Sequence, residues 1–196
     1  KYQTETGQAS EDKCLVCLNG TYSDTDAATL AVACSDCARG RYGDQEGLSN
    51  SNECKACGTG KYQSTTGATL EAQCLLCPEG YYGPNTAATS TNDCADCPVG
   101  KFSATAGISS SGDCDECNSG KYNDVSKQSS DTCKSCAVGK YLEGKGSVSV
   151  AACVNCPSGF FNGNTGSSFC VACTTGKYSE QVEQEFCKVC PAGYAL

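Results

Sequence analysis

Twenty cysteines fall into ten Cys-x-x-Cys pairs, beginning at Cys14, Cys34, Cys54, Cys74, Cys94, Cys114, Cys133, Cys153, Cys170 and Cys187, with none left over. Three chemistries use such pairs. Two pairs separated by 16 residues have the spacing of a four-thiolate zinc site. A pair at the head of a helix in a βαβ unit is a redox dithiol, its thiol acidified by the helix N-terminus. Pairs in an oxidising compartment are cross-links that replace a hydrophobic core. Spacing alone does not choose among them. The surroundings favour cross-links: the chain is acidic, has no His and shows no βαβ pattern, and the same turn glycine follows every pair. No cofactor or metal is expected.

Nucleophilic catalysis is not expected either. Without His there is no Ser-His-Asp or Cys-His arrangement, and the chain reads as a non-enzyme. Acidic residues just before the pairs, Asp12, Glu53, Asp93 and Asp113, lack the alternating ligand pattern of a calcium loop. They read as solvated. Asn19-Gly20-Thr21 is a glycosylation sequon, and Asn19 is the expected acceptor, the alternative being an unmodified turn asparagine. Thr89-Ser90-Thr91 and Ser109-Ser110-Ser111 offer hydroxyls for O-linked sugar.

Two pairings compete for the cross-links. A bond within each Cys-x-x-Cys closes a four-residue ring and leaves the long loops untied. Bonding the second cysteine of each pair to the first of the next gives Cys17–Cys34, Cys37–Cys54, Cys57–Cys74, Cys77–Cys94, Cys97–Cys114, Cys117–Cys133, Cys136–Cys153, Cys156–Cys170 and Cys173–Cys187. Each such bond restricts a longer loop of the unfolded chain, stabilising the fold by roughly 3 kcal/mol in the chain-entropy account. This phase is the favoured one. It leaves Cys14 and Cys190 for partners beyond the ends.

The elements that must hold these cysteines repeat with them. The first six pairs start every 20 residues, and the later intervals are 19, 20, 17 and 17. Three residues after each second cysteine stands a glycine: Gly20, Gly40, Gly60, Gly80, Gly100, Gly120, Gly139, Gly159, Gly176 and Gly193. That placement predicts a tight turn with one positive φ. Two residues further comes an aromatic, Tyr22, Tyr42, Tyr62, Tyr82, Phe102, Tyr122, Tyr141, Phe161 or Tyr178, with Tyr2 serving the first, partial unit. The ring reads as core packing against a neighbouring disulfide, one ring forming the whole local core. Gly or Ala follows five residues later in eight of ten units, within a small, polar stretch that reads as surface loop.

The fold expected is therefore a tandem series of small disulfide-rich repeats with short β-hairpins and turns and little helix. The Glu-rich stretch 179–185 is the one helix candidate. The repeats run 14-33, 34-53, 54-73, 74-93, 94-113, 114-132, 133-152, 153-169 and 170-186, with partial repeats at 1-13 and 187-196 that read as cut from a longer array.

Composition agrees. Only 39% of residues are apolar with Cys counted, and Trp and Met are absent, so hydrophobic burial alone would be meagre. Cross-links on this scale belong outside the cytosol, and the expected location is extracellular or cell-surface. A net charge of −8, with no block of like charges, disfavours a nucleic-acid partner. No apolar run is long enough for a membrane helix, so any anchor lies outside this sequence.

Cys77-Pro78-Glu79-Gly80-Tyr81-Tyr82 and Cys97-Pro98-Val99-Gly100-Lys101-Phe102, each followed by a Cys-x-x-Cys, resemble the ephrin-receptor-like cysteine-rich repeat. They are also similar to the single-disulfide first module of tumour-necrosis-factor-receptor domains. The resemblance covers essentially the whole chain and implies an elongated rod of disulfide-closed modules. Receptor ectodomains alternate module types, whereas this chain repeats one module. Uniform arrays of this kind resemble those of protist and algal cell-surface and flagellar-hair (mastigoneme-type) proteins. The irregularly spaced Cys-x-x-Cys surface antigens of parasitic protists fit less well, because their Gly-Gly-Cys-Tyr element is missing. The expected function is an extracellular structural rod within a filament, cell-surface fibre or matrix assembly. Its expected partners are its own copies or other extracellular structural proteins, with glycans attached. The alternative is a receptor or adhesion ectodomain that binds a protein ligand.

Overall fold

A computed structural model describes residues 15–25 and 34–193. Two compact units divide the chain: Lys1–Ala95 with Thr105–Ser110, and Asp96–Ala104 with Ser111–Leu196. In the first, β1 (Thr21–Tyr22) pairs with β2 (Ser35–Asp36), β3 (Arg41–Tyr42) with β4 (Lys55–Ala56) and β5 (Lys61–Tyr62) with β6 (Leu75–Leu76), all antiparallel. β7 (Tyr81–Tyr82) follows, and β8 (Ala95–Asp96) straddles the boundary in sequence.

The second unit repeats the scheme. β9 (Lys101–Phe102) pairs with β10 (Asp115–Glu116), and β11 (Lys121–Tyr122) with β12 (Lys134–Ser135). β13 (Lys140–Tyr141) pairs with β14 (Val154–Asn155), β15 (Phe160–Phe161) with β16 (Val171–Ala172), and β17 (Lys177–Tyr178) with β18 (Lys188–Val189).

Each hairpin is written in the repeat. Its first strand is the residue after the turn glycine plus the aromatic, and its second is the two residues enclosed by the next Cys-x-x-Cys. The strand enters through a four-residue turn, as at Leu18-Asn19-Gly20-Thr21, where the Thr21 N–H donates to the Leu18 carbonyl at 3.1 Å and Gly20 has φ +83°. A positive φ at the third position is the signature of a type II turn and is why Gly stands there.

Helix is confined to single 3₁₀ turns, Ser51–Glu53, Glu71–Gln73, Thr91–Asp93, Ser111–Asp113 and Val150–Ala152, among the described residues. The candidate helix at 179–185 does not form. Ser179 is buried, and Glu183 takes φ +64°, a left-handed conformation that interrupts any α-helix.

The core is sulfur first and aromatic second. Cys37, Cys57, Cys77, Cys97, Cys117, Cys136 and Cys156 have no exposed surface. Within each unit rings lie on the disulfide of the following repeat: Tyr22 packs on Cys37 and Cys54 with Leu48, and Tyr42 on Cys57 and Cys74 with Ala68. Tyr122 packs in the same way on Cys136 and Cys153 with Leu142. Tyr42 is buried, while Tyr22, Tyr62 and Tyr122 are half-buried, so the ring is one wall of the core and not, as expected, the whole of it.

Candidate functional site

The repeat-to-repeat junction is the part of this molecule that carries an organised, recurring geometry. Its covalent component is the set of nine disulfides, Cys17–Cys34, Cys37–Cys54, Cys57–Cys74, Cys77–Cys94, Cys97–Cys114, Cys117–Cys133, Cys136–Cys153, Cys156–Cys170 and Cys173–Cys187, with Cα–Cα distances from 5.6 to 6.0 Å. The strand inside each Cys-x-x-Cys explains why the bond is not made within the pair. Three extended residues at about 3.3 Å each separate its cysteines by roughly 10 Å, beyond the reach of a disulfide. The first sulfur therefore reaches back and the second reaches forward. Cys190 is a free, half-buried thiol whose N–H donates to the Gly176 carbonyl at 2.9 Å. Cys14 and Asp12 lie outside the described residues.

Backbone hydrogen bonds form the second component, and four of them recur at successive junctions. Between the repeats that turn at Gly40 and Gly60, Gly40 N–H donates to Gln63 O at 2.9 Å and Cys57 N–H donates to Gly40 O at 2.8 Å. Gly43 N–H donates to Ala68 O at 2.9 Å, and Gly67 N–H donates to Cys37 O at 2.9 Å. In the second unit Gly100 N–H donates to Asn123 O at 2.8 Å, Cys117 N–H to Gly100 O at 3.0 Å, Ser103 N–H to Gln128 O at 2.9 Å and Lys127 N–H to Cys97 O at 2.9 Å. Parallel bridges tie Tyr42 to Ala68 and Tyr122 to Ser147. The turn glycine and the second cysteine thus use both backbone groups on their neighbours.

The turn glycine has a second duty. A Cβ on Gly60 would overlap the Gly107 carbonyl oxygen and lie 2.8 Å from its carbon, and one on Gly120 would meet the Gly166 carbonyl in the same way. Gly107 belongs to the repeat two further along. Contact therefore extends past the nearest neighbour, which the repeat pattern alone did not reveal.

The residue five past the aromatic, expected in a surface loop, donates the fourth junction bond. It adopts left-handed φ at Gly47, Gly67, Gly107, Gly146 and Gly166, and also at Ala87 (57°), Lys127 (61°) and Glu183 (64°). The residue just after the aromatic is buried even when polar, as at Ser23, Gln63, Ser103, Asn123, Asn162 and Ser179. Asn162 Nδ2 donates to the Lys140 carbonyl at 2.6 Å, while its Oδ1 accepts from Asn164 N–H at 3.0 Å and Ser167 Oγ at 2.9 Å. No buried side-chain polar atom among the described residues lacks a partner. The signal for both positions was in the sequence, a small or amide residue after the ring and Gly five beyond it.

Glu53 and Asp93 hold the turns that deliver the first cysteine of a pair. Glu53 accepts from Ser49 N–H at 2.7 Å and Ser49 Oγ at 2.9 Å, and Asp93 accepts from Thr89 N–H at 2.7 Å and Thr89 Oγ1 at 3.0 Å. Gln73 does the same for Thr69 at 2.6 Å. Backbone donation from Ser49 and Thr89 holds the Glu53 and Asp93 carboxyls below their ordinary pKa. These carboxylates are exposed to solvent, as expected, and in addition cap their turns. Asp113 is the last residue of the equivalent turn Ser111–Asp113. Ion pairs such as Lys134–Asp124 at 2.7 Å and Lys61–Glu71 at 2.8 Å decorate the surface and, being exposed, contribute little. Asn19 sits exposed at the corner of its turn, with Thr21 Oγ1 donating to the Leu18 carbonyl at 2.8 Å.

Residues 46–94 match the family described as tyrosine-protein kinase ephrin type A/B receptor-like. No curated protein matches the chain. The matched stretch contains Cys57–Cys74 and Cys77–Cys94, and the same disulfide-and-turn geometry recurs on both sides of it. Nine tandem disulfides, with this match over residues 46–94, point to an extracellular or secreted protein built of small cysteine-rich modules. No helix among the described residues is long and apolar enough to cross a membrane.

Proposed function

We propose that the chain is an extracellular structural element, a rod of disulfide-closed repeats that bears load within a filament, cell-surface fibre or matrix assembly. The observation that carries this reading is the junction, where each repeat within a unit is tied to the next by a recurring set of four backbone bonds laid over a disulfide. Stability in such an array is a sum of repeat and neighbour terms along one dimension. Load on it meets two resistances in series. The backbone ladder yields first, and the disulfides then limit the length released.

That limit has a size. A taut oxidised repeat spans the three residue-to-residue steps from Cys34 to Cys37, about 10 Å, plus one disulfide with a Cα–Cα distance of 5.8 Å. Together these come to roughly 16 Å, against about 70 Å for twenty fully extended residues after reduction. Force–extension measurement on the oxidised and reduced chain tests the proposal. Extension per repeat near the shorter value, rising about fourfold on reduction, is expected. An oxidised chain that lengthens like the reduced one, or a reduced chain that keeps its native hairpins, refutes it.

The description of the matched family favours a second reading, a receptor or adhesion ectodomain. A membrane span and intracellular domain on the same polypeptide would support that reading, and a long continuation of the same repeat would support the fibre. Under either, Asn19 is a proposed N-glycan acceptor. A mass shift of the Asn19 peptide on enzymatic deglycosylation tests it.

A further inference from the structure

The last two complete repeats depart from the others. Their disulfides, Cys156–Cys170 and Cys173–Cys187, span 14 residues where Cys37–Cys54 spans 17. The capped turn before the cysteine is missing there, and in the place held elsewhere by Glu53, Gln73 and Asp93 stand Phe169 and Phe186, both 64% exposed. Shortening a repeat has replaced a capping side chain with an exposed ring.

Beside each ring is a groove. The first, a cavity of about 200 Å³, is lined by Tyr141, Glu143, Phe160 and Phe169. The second, of about 220 Å³, is lined by Phe161, Lys177 and Phe186. They occupy equivalent places in successive repeats and flank the β15–β16 hairpin, Phe160 facing one and Phe161 the other. Glu143 and Lys177 are exposed and have no ion-pair partner among the described residues.

Charge distribution singles out the same region. Residues 139–196 carry four lysines and four glutamates, so the whole net charge of −8 lies on residues 1–138. Two copies meeting through the acidic part repel each other, and two meeting here do not.

We infer that these grooves form a self-complementary contact between two copies of this chain. A two-fold axis near the β15–β16 hairpin brings the first groove of one copy against the second groove of the other, twice over, as an isologous interface requires. Each Phe186 then meets a Phe169-lined groove, and each Glu143 meets a Lys177 of opposite charge. Exposed aromatic anchors supply the affinity, and the charge pair sets the antiparallel register. The inference rests on the structural reading above and names the surface through which copies associate.

Sedimentation velocity of the full oxidised chain over a wide concentration range tests it. A monomer–dimer equilibrium is expected. The double variant Phe169→Ser/Phe186→Ser should weaken it by more than about tenfold. Glu143→Lys and Lys177→Glu should each weaken it, and the two together should restore it, an outcome that a general loss of folding cannot produce. All four residues are exposed, and intact mass before and after reduction checks that each variant keeps nine bridges. A chain that stays monomeric throughout, or dimers indifferent to these changes, overturns the contact. Monomers whose extension is still limited by disulfides would sink the contact alone, whereas dimers that extend freely when oxidised would sink the load-bearing role alone.

Discussion

Replacing Gly60 with Ala should open its junction far more than replacing Gly159 with Ala, although the two turns have nearly the same conformation. Their φ values are +75° and +82°, so both variants place a Cβ in the left-handed region at a net cost of about 1 kcal/mol. At Gly159 a Cβ meets nothing within 4 Å, and the cost ends there. At Gly60 it overlaps the Gly107 carbonyl and lies 3.1 Å from the Ile108 oxygen. Backbone cannot swing aside as a flexible side chain would, and overpacking of this kind costs about 1–3 kcal/mol. Moving the turn to relieve it strains the bonds from Gly60 N–H to Gly83 O (2.9 Å) and from Cys77 N–H to Gly60 O (2.8 Å), each contributing about 1 kcal/mol. The expected totals are roughly 3–5 kcal/mol for Gly60→Ala and about 1 for Gly159→Ala. Native-state hydrogen exchange reads them locally, since an array of repeats need not unfold in one step. Cys77 N–H, bound to Gly60 O, should exchange more than about 100-fold faster in Gly60→Ala, and Cys173 N–H, bound to Gly159 O at 2.9 Å, only about fivefold faster in Gly159→Ala. Equal acceleration at the two sites would show that contact with the repeat after next contributes nothing.

Ala87, held at φ 57°, should become more stable as Gly by about 1 kcal/mol, since a left-handed Cβ is relieved; slower exchange of Ala87 N–H, which donates to Cys57 O at 2.9 Å, checks this. Asn162→Ala removes both the donor to Lys140 O and the acceptor for Asn164 N–H in a buried site. It should cost about 1–3 kcal/mol, read by denaturant melting of the oxidised protein, with Asn162→Asp failing to rescue because it cannot donate. The Glu53 and Asp93 carboxyls lie below their ordinary values of 4.5 and 3.8. Their capping bonds are therefore complete above those values and lost as pH falls through the depressed pKa. The Ser49 and Thr89 amide resonances should titrate below pH 4.5 and 3.8 respectively, and titration at or above those values would refute the capping role. Lys134, raised above 10.5 by Asp124, should keep its ion pair until the pH passes that value, a loss visible as release of its side-chain amine resonance.

The sequence by itself determined whatever depends on residue type at short range. The period of the cysteine pairs, the turn glycine and the ring two residues later all lie within one repeat, and each has a local physical cause. Ring size favoured one disulfide phase, and the two-residue strand inside each pair is the geometric reason for it. The expected helix at 179–185 rested on local propensity, which the buried Ser179 and the left-handed Glu183 override once the stretch must meet the preceding repeats.

Tertiary structure alone decided how repeats join. Backbone N–H and C=O groups are common to all residues except the N–H of proline, so a ladder built from Gly40, Gly43, Cys57 and Gly67 leaves little mark in composition. Left-handed backbone at Lys127 and Glu183 is equally silent, because those side chains tolerate the conformation only while the junction bonds offset its cost. A pattern of side chains can specify a turn or a cross-link. Which backbone groups meet 23 or 47 residues away, as Gly20 meets Gly43 and Gly67, is fixed only when neighbouring repeats pack.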